Sequence, residues 1–186
     1  MRLFIGIELP SELKESLVQF QKELKSLGVS GSWKSQENFH VTLEFLGELE
    51  REKIALLNEI LSRAAKDNQP FKLSLGGIGA FPSFERPHTL WTALGGSLND
   101  LNRLRDEIHN DLSKSGFTLE NRQFKPHITL SSRPSLENAN LSTILTKMLG
   151  EFTVNEVALF ESGVIRGKRA YIVLHYASLG NSSVNV

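Results

Sequence analysis

The sequence predicts an α+β fold: one domain over residues 1–186, bilobal, with two pseudo-symmetric lobes. Their antiparallel sheets flank a central cleft and the helices lie outside. Three observations carry this. The element order, β-α-β-α-β-β-α-β-α-β-β, is mixed, which suits antiparallel sheets better than a doubly wound parallel one. A helix, a polar loop, an aromatic-containing approach to an H-x-T-L strand and a further helix occur once in each half. No linker rich in Pro, Gly and Ser divides the halves into independent units.

Each element has a local reason. Residues 3–9 alternate as a strand, and Pro10-Ser11-Glu12 opens a helix. Leu13, Leu17, Phe20, Leu24 and Leu27 then recur at helical spacing until Gly28, with Gly31 in the loop beyond. Residues 39–46 alternate apolar and polar up to Gly47. Residues 50–66 place Ile54, Leu57, Ile60, Leu61 and Ala64 on one helical face. Residues 71–75 are a strand running into Gly76-Gly77-Ile78-Gly79. Pro82 and Pro87 make the next segment a loop. Strands at 88–94 and 127–131 bracket a helix at 98–112. A short helix at 141–149 and strands at 152–160 and 170–179 close the chain.

Composition narrows the function. The chain has 21 basic and 21 acidic residues, so it lacks the charge of a protein that coats nucleic acid through many phosphate contacts. An enzyme gripping one or two phosphates remains compatible. No stretch is long and apolar enough to cross a bilayer. There is no cysteine and no signal-peptide pattern, which excludes disulfide scaffolds, zinc–thiolate sites and thiol chemistry. A cytoplasmic monomer is expected. Two local basic groups stand out: Arg122, Lys125 and Arg133, and Arg166, Lys168 and Arg169.

The strongest signal is a doublet. His40-Val41-Thr42-Leu43 is matched by His127-Ile128-Thr129-Leu130. Random placement of this chain's histidines and threonines gives about 0.2 His-x-Thr matches. In a strand, residues i and i+2 share a face, so each motif sets an imidazole beside a hydroxyl and turns its aliphatic neighbours inward. Two such strands facing each other supply what in-line displacement at phosphorus needs. One imidazole activates the nucleophile, the other protonates the leaving oxygen, and the hydroxyls hold non-bridging oxygens. A metal site is the weaker reading, because Glu44 has only Ser131 as its counterpart and no third ligand lies at a short spacing.

The ordered set of motifs resembles the two-histidine phosphoesterase superfamily, and within it the LigT-type RNA 2′,3′-cyclic phosphodiesterases, formerly described as 2′-5′ RNA ligases. The resemblance spans Arg2 to Pro10, Trp33 with Glu37 to Gly47, Gly79 to Pro82 with Arg86-Pro87 and Leu90-Trp91, Phe124 to Leu130, and Val157 to Ser162 with Gly167 and Tyr171. It implies hydrolysis of RNA or nucleotide 2′,3′-cyclic phosphate ends to 2′-phosphate ends, without metal or organic cofactor. His40 would be the proton donor and His127 the proton acceptor; motif symmetry alone leaves those roles exchangeable. Thr42 and Thr129 would bind phosphate oxygens. Phe45 sits where the family places an aromatic that stacks on the terminal base, although its parity with Val41 and Leu43 turns it inward.

One departure concerns the anion. The family commonly carries an arginine at the position held here by Ser132, leaving Arg133, Arg122 and Arg166 as candidates. Two other readings stay open: a phosphodiesterase for other small cyclic nucleotides or 2′-5′ linkages, and a non-catalytic RNA-binding module. His88, His109 and His175 lack the motif context. Trp33 and Trp91 are read as core or cleft walls.

Overall fold

In a computed structural model, which describes residues 1–180, two antiparallel sheets carry the chain. The first has the order β3-β1-β8-β9, from β1 (Arg2–Glu8), β3 (His40–Glu48), β8 (Glu156–Ile165) and β9 (Lys168–Ser178). The second runs β2-β6-β5-β4-β7, from β2 (Ser30–Trp33), β4 (Phe71–Phe81), β5 (Thr89–Gly96), β6 (His127–Ser135) and β7 (Met148–Val154). Helices α1 (Ser11–Ser26), α2 (Ile54–Lys66) and α3 (Leu98–Lys114) complete the fold.

The helices follow their apolar spacing. Leu13, Leu17, Phe20 and Leu24 of α1 are buried, as are Leu57, Ile60, Leu61, Ala64 and Ala65 of α2 and Leu101, Leu104, Ile108 and Leu112 of α3. Gly28 closes α1 with φ 98°, and a Cβ there would meet the Asn138 carbonyl oxygen at 2.5 Å. One apolar cluster joins these faces to residues of both sheets. A second, made by Phe4, Ala158 and Phe160 with Tyr171 and Val173, covers the other face of the first sheet.

Strand register shows the two-fold relation. On β1, Phe4, Ile5, Gly6, Ile7 and Glu8 face Phe45, Glu44, Thr42, Val41 and His40. On β5, Thr89, Leu90, Trp91, Thr92 and Ala93 face Ser132, Ser131, Thr129, Ile128 and His127. Both pairs slip by one residue at the same place, so Leu43 and Leu130 are each the extra residue of a bulge. The antiparallel bilobal prediction therefore holds down to individual pairs.

Three expectations are corrected. Residues 141–149 form turns that lead into β7, not a helix: Ile144 is buried, but Leu145 and Met148 are exposed, and Met148 pairs with Gly76. The repeat therefore does not extend to a second closing helix. The segment read as a loop around Gly31 contains β2, which pairs with β6. The strand expected over 152–160 is two strands, broken at Asn155.

Candidate active site

The sheets meet at β3 and β6, and the cleft between them has a volume of about 650 Å³. His40, Thr42, His127 and Thr129 all line it. Alternation puts Val41 and Ile128, both fully buried, on the opposite face. The bulges then change the parity. Leu43 and Glu44 are both buried and so are Leu130 and Ser131, which returns Phe45 and Ser132 to the cleft side. Phe45 is 52% exposed. The inward direction expected from its parity is thereby corrected, because the alternation breaks one residue before it.

Each imidazole is held by the backbone two residues upstream. His40 Nδ1 donates to the Asn38 carbonyl at 2.8 Å, and His127 Nδ1 donates to the Lys125 carbonyl at 2.6 Å. This selects the same tautomer in both rings and leaves Nε2 as the lone-pair nitrogen. The Thr42 hydroxyl donates to His40 Nε2 at 2.8 Å.

Aromatic walls back both rings. His40 lies 4.7 Å from Phe4 and 4.8 Å from Tyr171, the latter edge-on; His127 lies 4.9 Å edge-on to Phe81 and 6.0 Å from Trp91. Trp91 reaches that place because it covers Gly79, where a Cβ would come within 2.1 Å of its ring. Burial pushes His40 down to about 4; the Asn38 carbonyl opposes this, and the charges of Lys34, His127 and Lys14 add to it. Burial also lowers His127, against the Lys125 carbonyl. Both rings are therefore neutral at pH 7.

The family model described as LigT like Phosphoesterase matches residues 7–91 and 96–171. The chain belongs to that family. An RNA 2′,3′-cyclic phosphodiesterase of Aquifex aeolicus is 30% identical over 185 residues, 97% of this chain and 98% of its own. One from Aeropyrum pernix is 33% identical over 156 residues, 84% and 86% of the two chains. The crystal structure of Escherichia coli LigT complexed with 3′-AMP is similar with a TM-score of 0.79 at 27% identity, covering 97% of this chain and 98% of that one.

Within this LigT-like phosphoesterase the predicted cations separate. Arg122 lines the cleft but binds the Glu120 carboxylate through Nε at 2.8 Å and also through Nη2. Arg133 does not line it: it has a left-handed backbone with φ 50°, and its Nη2 donates to Ser32 Oγ at 3.2 Å. Arg166 sits exposed in the β8–β9 turn, also outside the lining. The cleft instead takes Arg2, Lys34 and Arg169, along with Asn38, Ser162 and Tyr171. Sequence reasoning named none of these six as site residues. Arg169 had a signal, since it belongs to the basic group from which Arg166 was chosen.

The remaining histidines are accounted for by other contacts. His109 donates Nδ1–H to Glu44 at 2.7 Å, His175 meets Ser62 Oγ at 3.2 Å, and the His88 backbone joins Phe81 and Arg133. Among the described residues no cluster of three or more His, Cys, Asp or Glu is placed to hold a metal ion, and no helix is long and apolar enough to span a membrane.

The lowered His40 value has a consequence for stability. Its native value lies near 4 and its ordinary one at 6.5, so the unfolded chain binds more protons between these limits. Stability then falls as pH drops from about 6.5 toward 4. Melting temperature followed from pH 7 to 4.5 should decline in this window, and less steeply in His40→Gln. Parallel curves for the two proteins would refute the assignment.

Proposed function

We propose that this LigT-like phosphoesterase hydrolyses 2′,3′-cyclic phosphate ends of RNA or nucleotides to 2′-phosphate ends, as a single bilobal unit acting as a monomer without metal or organic cofactor. The observation that carries this reading is the matched pair of imidazoles in one cleft, each with Nδ1 tied to a carbonyl and its lone pair at Nε2. The relatives from Aquifex aeolicus and Aeropyrum pernix, both RNA 2′,3′-cyclic phosphodiesterases, support the substrate class.

In this reading water attacks phosphorus in line with the bond to O3′. His127 Nε2 takes a proton from the water, the P–O3′ bond breaks, and protonated His40 Nε2 gives its proton to O3′. The products are a 2′-phosphomonoester and a free 3′-hydroxyl, and proton exchange with solvent resets both rings. The strained five-membered ring makes acid–base catalysis with oxyanion contacts sufficient. Thr42 and Thr129 donate to the non-bridging oxygens, and exposed Phe45 offers a face for the terminal base.

The lowered His40 value bears on the assignment of its role. An acid must be protonated, and His40 is the ring that burial pushes down to about 4. The bound phosphodiester supplies the negative charge that restores the proton, so substrate binding is coupled to proton uptake at His40.

The test follows a short RNA with a 2′,3′-cyclic phosphate end in EDTA, beside a 2′-5′-linked oligonucleotide and a small cyclic nucleotide at matched concentrations. The reading requires turnover, fastest on the RNA cyclic end. Preference for another substrate would reassign specificity, and binding without turnover would make the cleft a binding module.

A further inference from the structure

The four cations that line the cleft differ in surroundings. Arg2, Arg122 and Arg169 are exposed; Lys34 alone is partly buried. Arg122 is occupied by Glu120, and Arg169 Nη1 donates to Ser162 Oγ at 2.7 Å. Among the described residues the Lys34 ammonium has no hydrogen-bond or ion-pair partner.

The backbone that carries Lys34 is clamped to the second catalytic strand. β2 pairs with β6 through Ser32 with Ser132 and Trp33 with Ser131. Lys34 N–H continues that ladder, donating to the Leu130 carbonyl at 2.9 Å. Gln21, 5% exposed on α1, donates Nε2–H to both the Lys34 carbonyl at 2.9 Å and the Leu130 carbonyl at 3.0 Å. The base of the lysine is thus tied to the bulge that ends His127-Ile128-Thr129-Leu130, while its side chain enters the cleft shared with His40.

An ammonium half withdrawn from water with no countercharge is unfavourable, and such groups concentrate where a ligand completes the pair. Burial, and then Arg169, lower the Lys34 value, and Lys34 in turn is one of the charges that lower His40. Its field therefore already reaches the reacting imidazole.

We propose that Lys34 is the phosphate-binding cation of this cleft, holding a non-bridging oxygen of the substrate from the residue that follows β2. This rests on the phosphodiester reading above. It explains why Arg133 and Arg166 can lie outside the cleft lining without leaving the anion unpaired. It also gives phosphate binding a second effect: neutralising Lys34 removes one of the charges opposing protonation of His40.

The test uses Lys34→Met, similar in length but uncharged, and Lys34→Arg, with melting temperature as the check on folding. Three readings are taken: kcat and KM on a 2′,3′-cyclic nucleotide, Kd for inorganic phosphate, and the His40 titration by NMR. Lys34→Met should lower kcat/KM and weaken phosphate binding by about ten- to a hundredfold, as for loss of a charged hydrogen bond. Lys34→Arg should recover most of both. The His40 titration should move upward in Lys34→Met, which a purely structural role would not produce. A folded Lys34→Met with kcat/KM and phosphate Kd within twofold of wild type overturns the proposal. If the wild type shows no turnover, the phosphate Kd still decides: selective loss in Lys34→Met keeps the anion site while the hydrolase reading fails.

Discussion

His40→Ala and His127→Ala are each expected to lower kcat on a 2′,3′-cyclic phosphate by about 10²–10⁴-fold, the usual contribution of a positioned acid or base. The fold should survive both changes. The two rings face the cleft, while Phe39, Val41 and Ile128, all nearly or fully buried, keep their strands in place. The double variant should fall little below the worse single one, because an acid and a base serving one displacement act as a unit. Single-turnover kinetics with matched circular dichroism spectra would measure this. Full activity in either single variant would remove the two-histidine mechanism.

Glu44→Ala is expected to cost about 3–5 kcal/mol of stability, the range for removing one partner of a buried ion pair. Glu44 is 4% exposed beside the β3 bulge. Its Oε2 lies 3.3 Å from Arg105 Nη2 and 2.7 Å from His109 Nδ1, both on α3. Arg105 is itself 13% exposed, stacks over Phe124 and keeps a buried Nε with no partner. Without the carboxylate it would be a largely buried guanidinium with only the exposed Asp106, at 3.4 Å, on its other arm. Urea unfolding should therefore show a large drop for Glu44→Ala and a smaller one for Glu44→Gln, which retains an acceptor. A loss below about 1 kcal/mol in Glu44→Ala would place this cluster with ordinary surface pairs. The cluster also has a place in the symmetry of the fold. Arg105 and His109 of α3 bind at the β3 bulge as Gln21 of α1 binds at the β6 bulge.

What could be read from the sequence follows physical periodicity. The H-x-T-L doublet was legible because strand alternation is a two-residue rule, and it holds from His40 to Leu43 and from His127 to Leu130. It fails at the next residue. A bulge adds one residue without changing composition, so nothing in Glu44-Phe45 or Ser131-Ser132 announces that the cleft face resumes at the second of each pair. The helix expected over 141–149 failed for a related reason. Leu141, Ile144, Leu145, Met148 and Leu149 have helical spacing, but residues 148–154 are captured as a strand by the edge of β4. Lys34 was invisible because β2 has only four residues, three of them Ser or Gly, and its pairing with β6 spans some hundred positions.

The most direct test of the two-histidine account is the product formed from a short RNA ending in a 2′,3′-cyclic phosphate, incubated with the enzyme in EDTA and resolved by phosphorus NMR. Complete conversion to a 2′-phosphate is expected, with His40 protonating O3′ and His127 activating water. A 3′-phosphate would contradict the assigned orientation, since the acid would then serve O2′. An unchanged cyclic phosphate in the presence of protein that binds the RNA would contradict the catalytic account itself.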